Sequence, residues 1–263
     1  PSIVVANGAV HDAVDEAERA LMTSHIEVFQ RGGALVRPVR YPNPVNPAGG
    51  VETVRLVQVG EDWLMETFSR VATFQKVKCD NGEVTTINCP ASIVKTYLAR
   101  VGEWRVPILT AVVNVPTLRH DGTVIEKPGY DSASGLYAAF DPEEFHGVAT
   151  RPDRTAASIA LSKLEDVIKA FSFVSPADCS VAIAATLTGL SRHLFSTAPI
   201  IGFSAPVAGS GKSLLVDICS VIVTGHPAAV LSPGRTEEEL EKGWVPPSYK
   251  GRPSFRSTIA TKH

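Results

Sequence analysis

Pro199-Ile200-Ile201-Gly202-Phe203-Ser204-Ala205-Pro206-Val207-Ala208-Gly209-Ser210-Gly211-Lys212-Ser213-Leu214-Leu215-Val216-Asp217-Ile218 is the stretch on which the reading of this chain turns. An apolar, strand-like run enters a glycine-bearing turn and leaves it as an apolar helix, the setting that a phosphate-binding loop requires. Glycines let the backbone curl so that successive N–H groups converge at a helix N-terminus, where the helix dipole also favours an anion. Lys212 adds a mobile cation for outer phosphates. The Ser213 hydroxyl adds an oxygen for Mg2+, which takes its other oxygens from nucleotide and water.

Pro206, Gly209, Ser210, Gly211, Lys212, Ser213 and Leu214 are therefore the candidate nucleotide-binding residues, with Lys212 in the catalytic role and Ser213 as metal ligand. The common pattern has a glycine five residues before the Gly-Lys pair, where this chain has Pro206. Proline fixes φ and lacks an N–H, so it stiffens the exit from the strand while the inner Gly-Ser-Gly-Lys-Ser donors remain. A chance Gly-Ser-Gly-Lys-Ser in a surface turn is the alternative; the fitting strand before and helix after favour the phosphate site.

Binding is not hydrolysis. An ATPase also needs an acid at the end of a second core strand to hold the metal and orient water. No apolar run after the loop ends in Asp or Glu: Ala228-Ala229-Val230-Leu231 ends in Ser232-Pro233, and Asp217, one turn past Ser213, is expected to face solvent. Farther on, Thr236 reads as the N-cap of a charged helix to Lys242 with Glu239 completing a capping box. From Gly243 the tail holds four Lys/Arg, no acid and three prolines, a composition that builds no core. Residues 243–263 therefore read as an irregular basic tail, truncated or out of frame.

Upstream of the loop the period changes repeatedly. Val10, Val14, Ala17, Leu21 and Met22 mark an amphipathic helix over 8–24, and 28–39 two strands around Gly32-Gly33. The proline-rich 41–50 reads as a loop that no ladder pairs. A strand over 54–59, a helix over 61–71, a strand over 73–78 and a helix over 91–101 with Pro90 in its first turn follow. Ile108–Val113 reads as a buried β-branched strand, and 118–125 as a hairpin turning at Asp121-Gly122. Residues 141–155 are the expected domain boundary, with a helix start at Asp141-Pro142-Glu143-Glu144 and the polar stretch Thr150-Arg151-Pro152-Asp153-Arg154. Beyond it Ile159, Leu161, Leu164, Val167, Ile168 and Phe171 share one helix, and Ala182 to Leu194 forms a second. The fold class is thus α/β and α+β: a mixed accessory domain over 1–150, then helical linker and an incomplete P-loop domain over 151–242.

With 263 residues, 44% of them hydrophobic and 20% charged, the chain holds enough apolar material for one large or two modest domains, which excludes disordered and disulfide-scaffold classes. The net charge of −2 argues against a polybasic coat. Its distribution is uneven: residues 1–150 carry 13 Lys/Arg against 18 Asp/Glu, residues 151–263 carry 12 against 9. Cys79, Cys89, Cys179 and Cys219 form no Cys-x-x-Cys pair and read as buried thiols of a reducing cytoplasm; Cys79 and Cys89 across a hairpin, without a His pair, make a poor zinc site. No apolar run reaches the ~18 to 20 residues of a membrane span, so no membrane partner is expected. A chain opening on Pro1 reads as a piece of a longer product.

Other polar side chains have both functional and structural readings. Arg31, Arg37 and Arg40 on the Gly-Gly hairpin have the chemistry to contact phosphates along a strand, with surface solvation and carboxylate pairing as the alternatives. Asp141, Glu143, Glu144 and His146 resemble an acid–base cluster, which helix capping at Pro142 explains more simply. His193 is expected to face the carbonyl end of the apolar helix before it.

Taken with the loop, Val28-Phe29-Gln30-Arg31-Gly32-Gly33, Leu35-Val36-Arg37, His120-Asp121-Gly122-Thr123-Val124-Ile125, Lys127-Pro128-Gly129-Tyr130-Asp131, Ala205-Pro206 and Thr224-Gly225-His226-Pro227 give the chain a family likeness. It resembles the ATPase half of phage and prophage primase-helicase proteins, over most of residues 8–242. The resemblance implies an accessory region leading into a RecA- or AAA-like ATPase domain, ATP and Mg2+ as ligands, and a cytoplasmic, homo-oligomeric parent acting on DNA. Ala-Pro at Ala205-Pro206 is similar to that family's version of the loop, while the missing acidic strand departs from it. A nucleic-acid-binding or assembly module with a vestigial loop is the alternative, and a small-molecule phosphotransferase a weaker one.

Overall fold

The structure, a computed structural model, describes residues 1–6, 8–42, 52–77, 83–145, 147–148, 151–207, 209–228 and 259–261. The chain is mixed α and β, with six α-helices and several small sheets among these residues. It divides into two compact units, Pro1–Thr110 and Ala111–His263.

In the first unit come β1 (Ser2–Val4), α1 (Val10–Thr23), β2 (Phe29–Arg31), β3 (Ala34–Pro42), β4 (Glu52–Gln58), α2 (Glu61–Val71), β5 (Thr73–Val77), β6 (Val84–Ile87) and α3 (Ala91–Ala99). Helix α1 buries Ala13, Val14, Ala17, Ala20 and Leu21, an apolar stripe at helical spacing. That stripe meets Leu64 and Phe68 of α2, Ile93 and Tyr97 of α3, and Phe74 of β5 in one core. The Phe68 and Tyr97 rings meet edge to face at 5.4 Å. Glu18 is buried in the same stripe, where a carboxylate persists only if its oxygens are bonded. The Tyr97 hydroxyl donates to it at 3.2 Å and the Arg105 backbone N–H at 2.7 Å. Burial first, then the Glu18 charge, hold the Tyr97 phenol above its ordinary range.

Two small sheets flank these helices. β1 lies parallel to β5, with Ile3 opposite Phe74, and β6 runs antiparallel on the other side of β5. β2, β3 and β4 form an antiparallel sheet in that order. Gly32 and Gly33 both take positive φ at the β2–β3 turn, which only glycine adopts cheaply. β3 continues through Tyr41 and Pro42, opposite Thr53 and Glu52, so the ladder extends two residues into the stretch expected as loop. β2 reaches only Val36, so beyond it, among the described residues, one side of β3 is an edge, the position in a sheet that tolerates proline. The rest of that stretch, 43–50, lies outside the described residues, as does Cys79.

The second unit contains β7 (Ala111–Val113), β8 (Thr117–Leu118), β9 (Val124–Ile125), β10 (Gly129–Asp131), β11 (Leu136–Ala138), α4 (Arg154–Ile168), α5 (Pro176–Leu190), β12 (Ile201–Phe203), α6 (Lys212–Thr224) and β13 (Ile259–Thr261). β11 pairs antiparallel with β10 and parallel with β7, and β8 with β9 forms the expected hairpin. Arg119 clamps these hairpins together through two hydrogen bonds to one Asp131 oxygen, at 3.0 and 2.9 Å. Asn114 and Thr117 donate to the carbonyls that end α6 and α5, Thr224 and Leu190. The polar stretch near residue 150 thus lies inside a unit that begins at Ala111.

The β-branched run Ile108–Val113 is not one buried strand. The unit boundary cuts it: Leu109 is buried in the first unit and bonds Gln30 through its N–H, Ile108 is exposed, and only Ala111–Val113 forms a strand. Of residues 243–263, expected as an irregular basic tail, the structure describes 259–261 alone. Residues 259–261 lie parallel to β12 as β13. Among the described residues no helix is long and apolar enough to cross a membrane.

Arg119 first, then the Ser134 hydroxyl, hold the Asp131 carboxyl down at about 2, from 3.8. A carboxyl depressed by folding stabilises the fold above its unfolded value and loses that contribution as pH falls through the folded one. Denaturant titrations should therefore show stability declining as pH drops from about 4 to about 2, and Asp131→Asn should flatten that decline. Equal pH slopes for the two proteins would show that the clamp contributes nothing.

Candidate phosphate-binding site

The loop is positioned by what packs beneath it. Along α5, Ala182, Ala185, Thr186 and Gly189 are buried at helical spacing, and their small side chains let α6 approach closely. α6 answers with Leu215, Val216, Cys219 and Val223. The Thr186 hydroxyl lies 3.3 Å from the Cys219 sulfur across this seam. Phe203 at the end of β12 packs into the same cluster with Ile168 and Phe171 from the end of α4. Strand end and helix start are thereby fixed on either side of residues 204–211.

The three helices of this unit begin differently. Asp153 caps α4 by accepting from the Ala156 N–H at 2.7 Å. Ser175 and Asp178 close a reciprocal capping box on α5. α6 starts at Gly211, in the left-handed region with φ 84°, and no side chain caps it. Leu215 is the first residue of α6 whose N–H bonds back, to the Gly211 carbonyl at 2.9 Å. Among the described residues, the N–H groups of Gly211, Lys212, Ser213 and Leu214 have no acceptor in the protein. Gly209 is also left-handed, with φ 79°.

Lys212 is half-buried and folds back across the bend, its Nζ donating to the Ala205 carbonyl at 3.3 Å. The loop's first and last residues are therefore within one side chain's reach. Pro206, Ser210, Ser213 and Leu214 are exposed; Ala208 lies outside the described residues. All the other candidate residues fall on this one bend. Ser213 would offer Mg2+ one hydroxyl oxygen, which fits a cation that binds through one protein ligand plus phosphates and water. Among the described residues no cluster of three or more His, Cys, Asp or Glu could hold a metal by itself.

The other candidates are structural. Asp217 does not face solvent free of partners: half-buried, it accepts from the Ala228 N–H at 3.0 Å and ties down the chain leaving α6. Asp141 caps a single 3-10 turn, Pro142–Glu144, through the Glu143 N–H, and His146 lies outside the described residues. His193 bonds the Leu118 carbonyl of β8 rather than the end of α5, because the chain turns through a 3-10 segment after Ser191. The three arginines of the β2–β3 hairpin do not share a face. Strand alternation puts Arg31 and Arg40 on one side and Arg37 on the other, where its guanidinium lies 4.9 Å over the Trp63 ring. Of the thiols, Cys89 and Cys219 are buried, Cys179 is half-buried, and all three are free. Burial pushes the Cys89 thiol up to about 12, leaving it inert. The uncapped start of α6 is legible in the sequence, where no Ser, Thr, Asp or Asn occupies position 211; the small-residue seam on α5 that seats it has no comparable signal, because small residues mark a helix contact only once the partner helix is placed.

No protein-family model matches this chain, and neither a curated protein nor a solved structure does.

The two left-handed glycines differ in surroundings. A Cβ at Gly211 would sit 3.1 Å from the Phe171 ring, whereas nothing lies within 4 Å of one at Gly209. Either Ala substitution incurs the left-handed penalty of about 1–2 kcal/mol. Gly211→Ala should therefore lower the urea midpoint more than Gly209→Ala, the excess measuring the Phe171 contact.

Proposed function

We propose that the bend between β12 and α6 binds the triphosphate of ATP, and that the chain is the ATP-binding part of a phage-type primase-helicase ATPase, with a P-loop domain beginning at β12. The observation that carries this reading is the uncapped start of α6. Donors at a helix N-terminus that no protein acceptor takes are open to solvent, and an anion that replaces the water there gains from the dipole. Gly209 and Gly211 in left-handed conformations support the same reading, since that backbone curl aims consecutive N–H groups inward.

In this reading the N–H groups from Gly209 to Leu214 hold the β- and γ-phosphate oxygens. The Lys212 amine leaves the neutral Ala205 carbonyl for the charged phosphates, a stronger acceptor. Pro206 holds the strand exit rigid, and Ser213 orients the metal ion, which when bound neutralises phosphate charge. No apolar run of the sequence after the loop ends in Asp or Glu. Binding without turnover is thus the activity expected of this chain, in a cytoplasmic parent that acts on DNA and assembles as a homo-oligomer.

Titration with a fluorescent ATP analogue and Mg2+ tests the reading. Lys212→Ala should weaken binding by about tenfold or more, the loss of a charge-assisted contact of about 1.5–3 kcal/mol. Unchanged affinity would remove the site assignment. Phosphate release should stay at the blank rate, and robust turnover would show that an acid elsewhere in the chain completes the site.

A further inference from the structure

The arginines of the first unit fall into two groups. Those on and beside the helices are bound to acidic residues or the backbone: Arg70 pairs with Glu66, Arg100 with Asp15, Arg105 with Asp15 and Glu18, and Arg19 donates to the Asp15 carbonyl. The strands β2, β3 and β4 carry Arg31, Arg37, Arg40 and Arg55 against Glu52 alone. Among the described residues neither Arg37 nor Arg55 has a carboxylate partner. Each lies instead over an aromatic ring, Arg37 at 4.9 Å from the Trp63 centroid and Arg55 at 5.5 Å from that of Tyr41.

Register puts these groups on one face. Arg37 is opposite Val57, Val39 opposite Arg55, and Tyr41 opposite Thr53. Residues directly opposite in an antiparallel pair share a face, as do alternate residues along each strand. Arg37, Arg55 and Tyr41 therefore form one row, with Trp63 beneath its inner end. From Arg37 to Tyr41 the row is about 14 Å long at about 3.4 Å per residue, the length of about four base-stacking steps. Arg55 and Tyr41 are exposed, Arg37 and Trp63 half-buried.

Stacking determines what such a row recognises. A guanidinium lying on a ring is held in place, yet its N–H donors lie in its plane and remain able to fork onto an oxyanion. The exposed Tyr41 ring offers a surface for a flat partner. A ligand that matches both supplies repeated anionic groups and planar rings together. We propose that the face of β3 and β4 bearing Arg37, Arg55 and Tyr41, with Trp63, binds single-stranded nucleic acid, its phosphates held by the two guanidiniums and its bases stacked on Tyr41. This site lies wholly in the first unit and does not depend on the triphosphate reading.

Fluorescence anisotropy of a labelled oligo(dT) of about 20 nucleotides, titrated with the whole chain without nucleotide at about 50 and about 200 mM salt, tests the proposal. Arg37→Ala with Arg55→Ala should weaken binding at least about tenfold at low salt and reduce the salt slope by about 1.4, for two single-strand phosphate contacts. Tyr41→Ala should weaken it by about tenfold and leave the slope unchanged. Arg55→Lys, at an exposed position, should keep the slope and lose part of the affinity. Arg70→Ala, which removes a surface arginine paired to Glu66, should change nothing, and melting midpoints by circular dichroism should match throughout. Wild-type affinity in the double variant overturns the proposal. So does a silent Tyr41→Ala with duplex of the same length binding as tightly, which would reveal a patch for any polyanion.

Discussion

A helix begins with donors that its own backbone cannot satisfy, and the second unit is organised around how three helices meet that constraint. Asp153 answers it for α4, and Ser175 with Asp178 for α5. α6 has Gly211 in that place, and among the described residues no side chain caps it. The seam of Ala182, Ala185, Thr186 and Gly189 against Leu215, Val216 and Cys219 fixes the axis of α6 and hence the direction of the bare N–H groups. Phe171 against Gly211 narrows the permitted residue there to glycine, and Lys212 reaching Ala205 spans the bend. Removing the seam would leave the donors without a fixed geometry, and the proposed site with it.

The first unit depends on a different constraint, the burial of Glu18 among apolar helices. Its carboxylate is tolerated because Tyr97 and the Arg105 backbone both donate to it. The same arrangement draws Arg105 toward Asp15 and Glu18 and Arg100 onto Asp15. The acids of α1 thus neutralise the arginines around α3, whereas on β3 and β4 Arg37 and Arg55 lie over aromatic rings. Charge separation on this unit follows from how its core is closed.

Local periodicity carried much of this into the sequence. The helices at α1, α2 and α3, the Gly32-Gly33 and Asp121-Gly122 turns, and the strand–bend–helix around Gly211 each rest on spacing within a dozen residues, where backbone preferences act directly. What stayed hidden depends on partners far along the chain. Val84–Ile87 gains its strand character from β5, and Leu136–Ala138 from β7 and β10. Ile259–Thr261 becomes a strand only because β12 lies beside it. Glu18 is buried by partners far along the chain, Tyr97 and Arg105, which helical spacing within α1 does not reveal. At the candidate site the residues were readable from glycine and lysine spacing, whereas their freedom from internal acceptors was a question only coordinates could answer.

The division of Ile108–Val113 between two units bears on how this protein could be taken apart. Leu109 anchors one half through Gln30, and Ala111 opens the sheet of the other. A piece ending near residue 150, where polarity invites a cut, would carry β7 to β11 away from the carbonyls of α5 and α6 that Thr117 and Asn114 grip. Its leftover hairpins would be orphaned. An excision after Thr110 severs the chain where one hydrophobic interior ends and the next begins, so domain engineering should follow buried side chains here, not the hydrophilic seam visible in the text of the sequence.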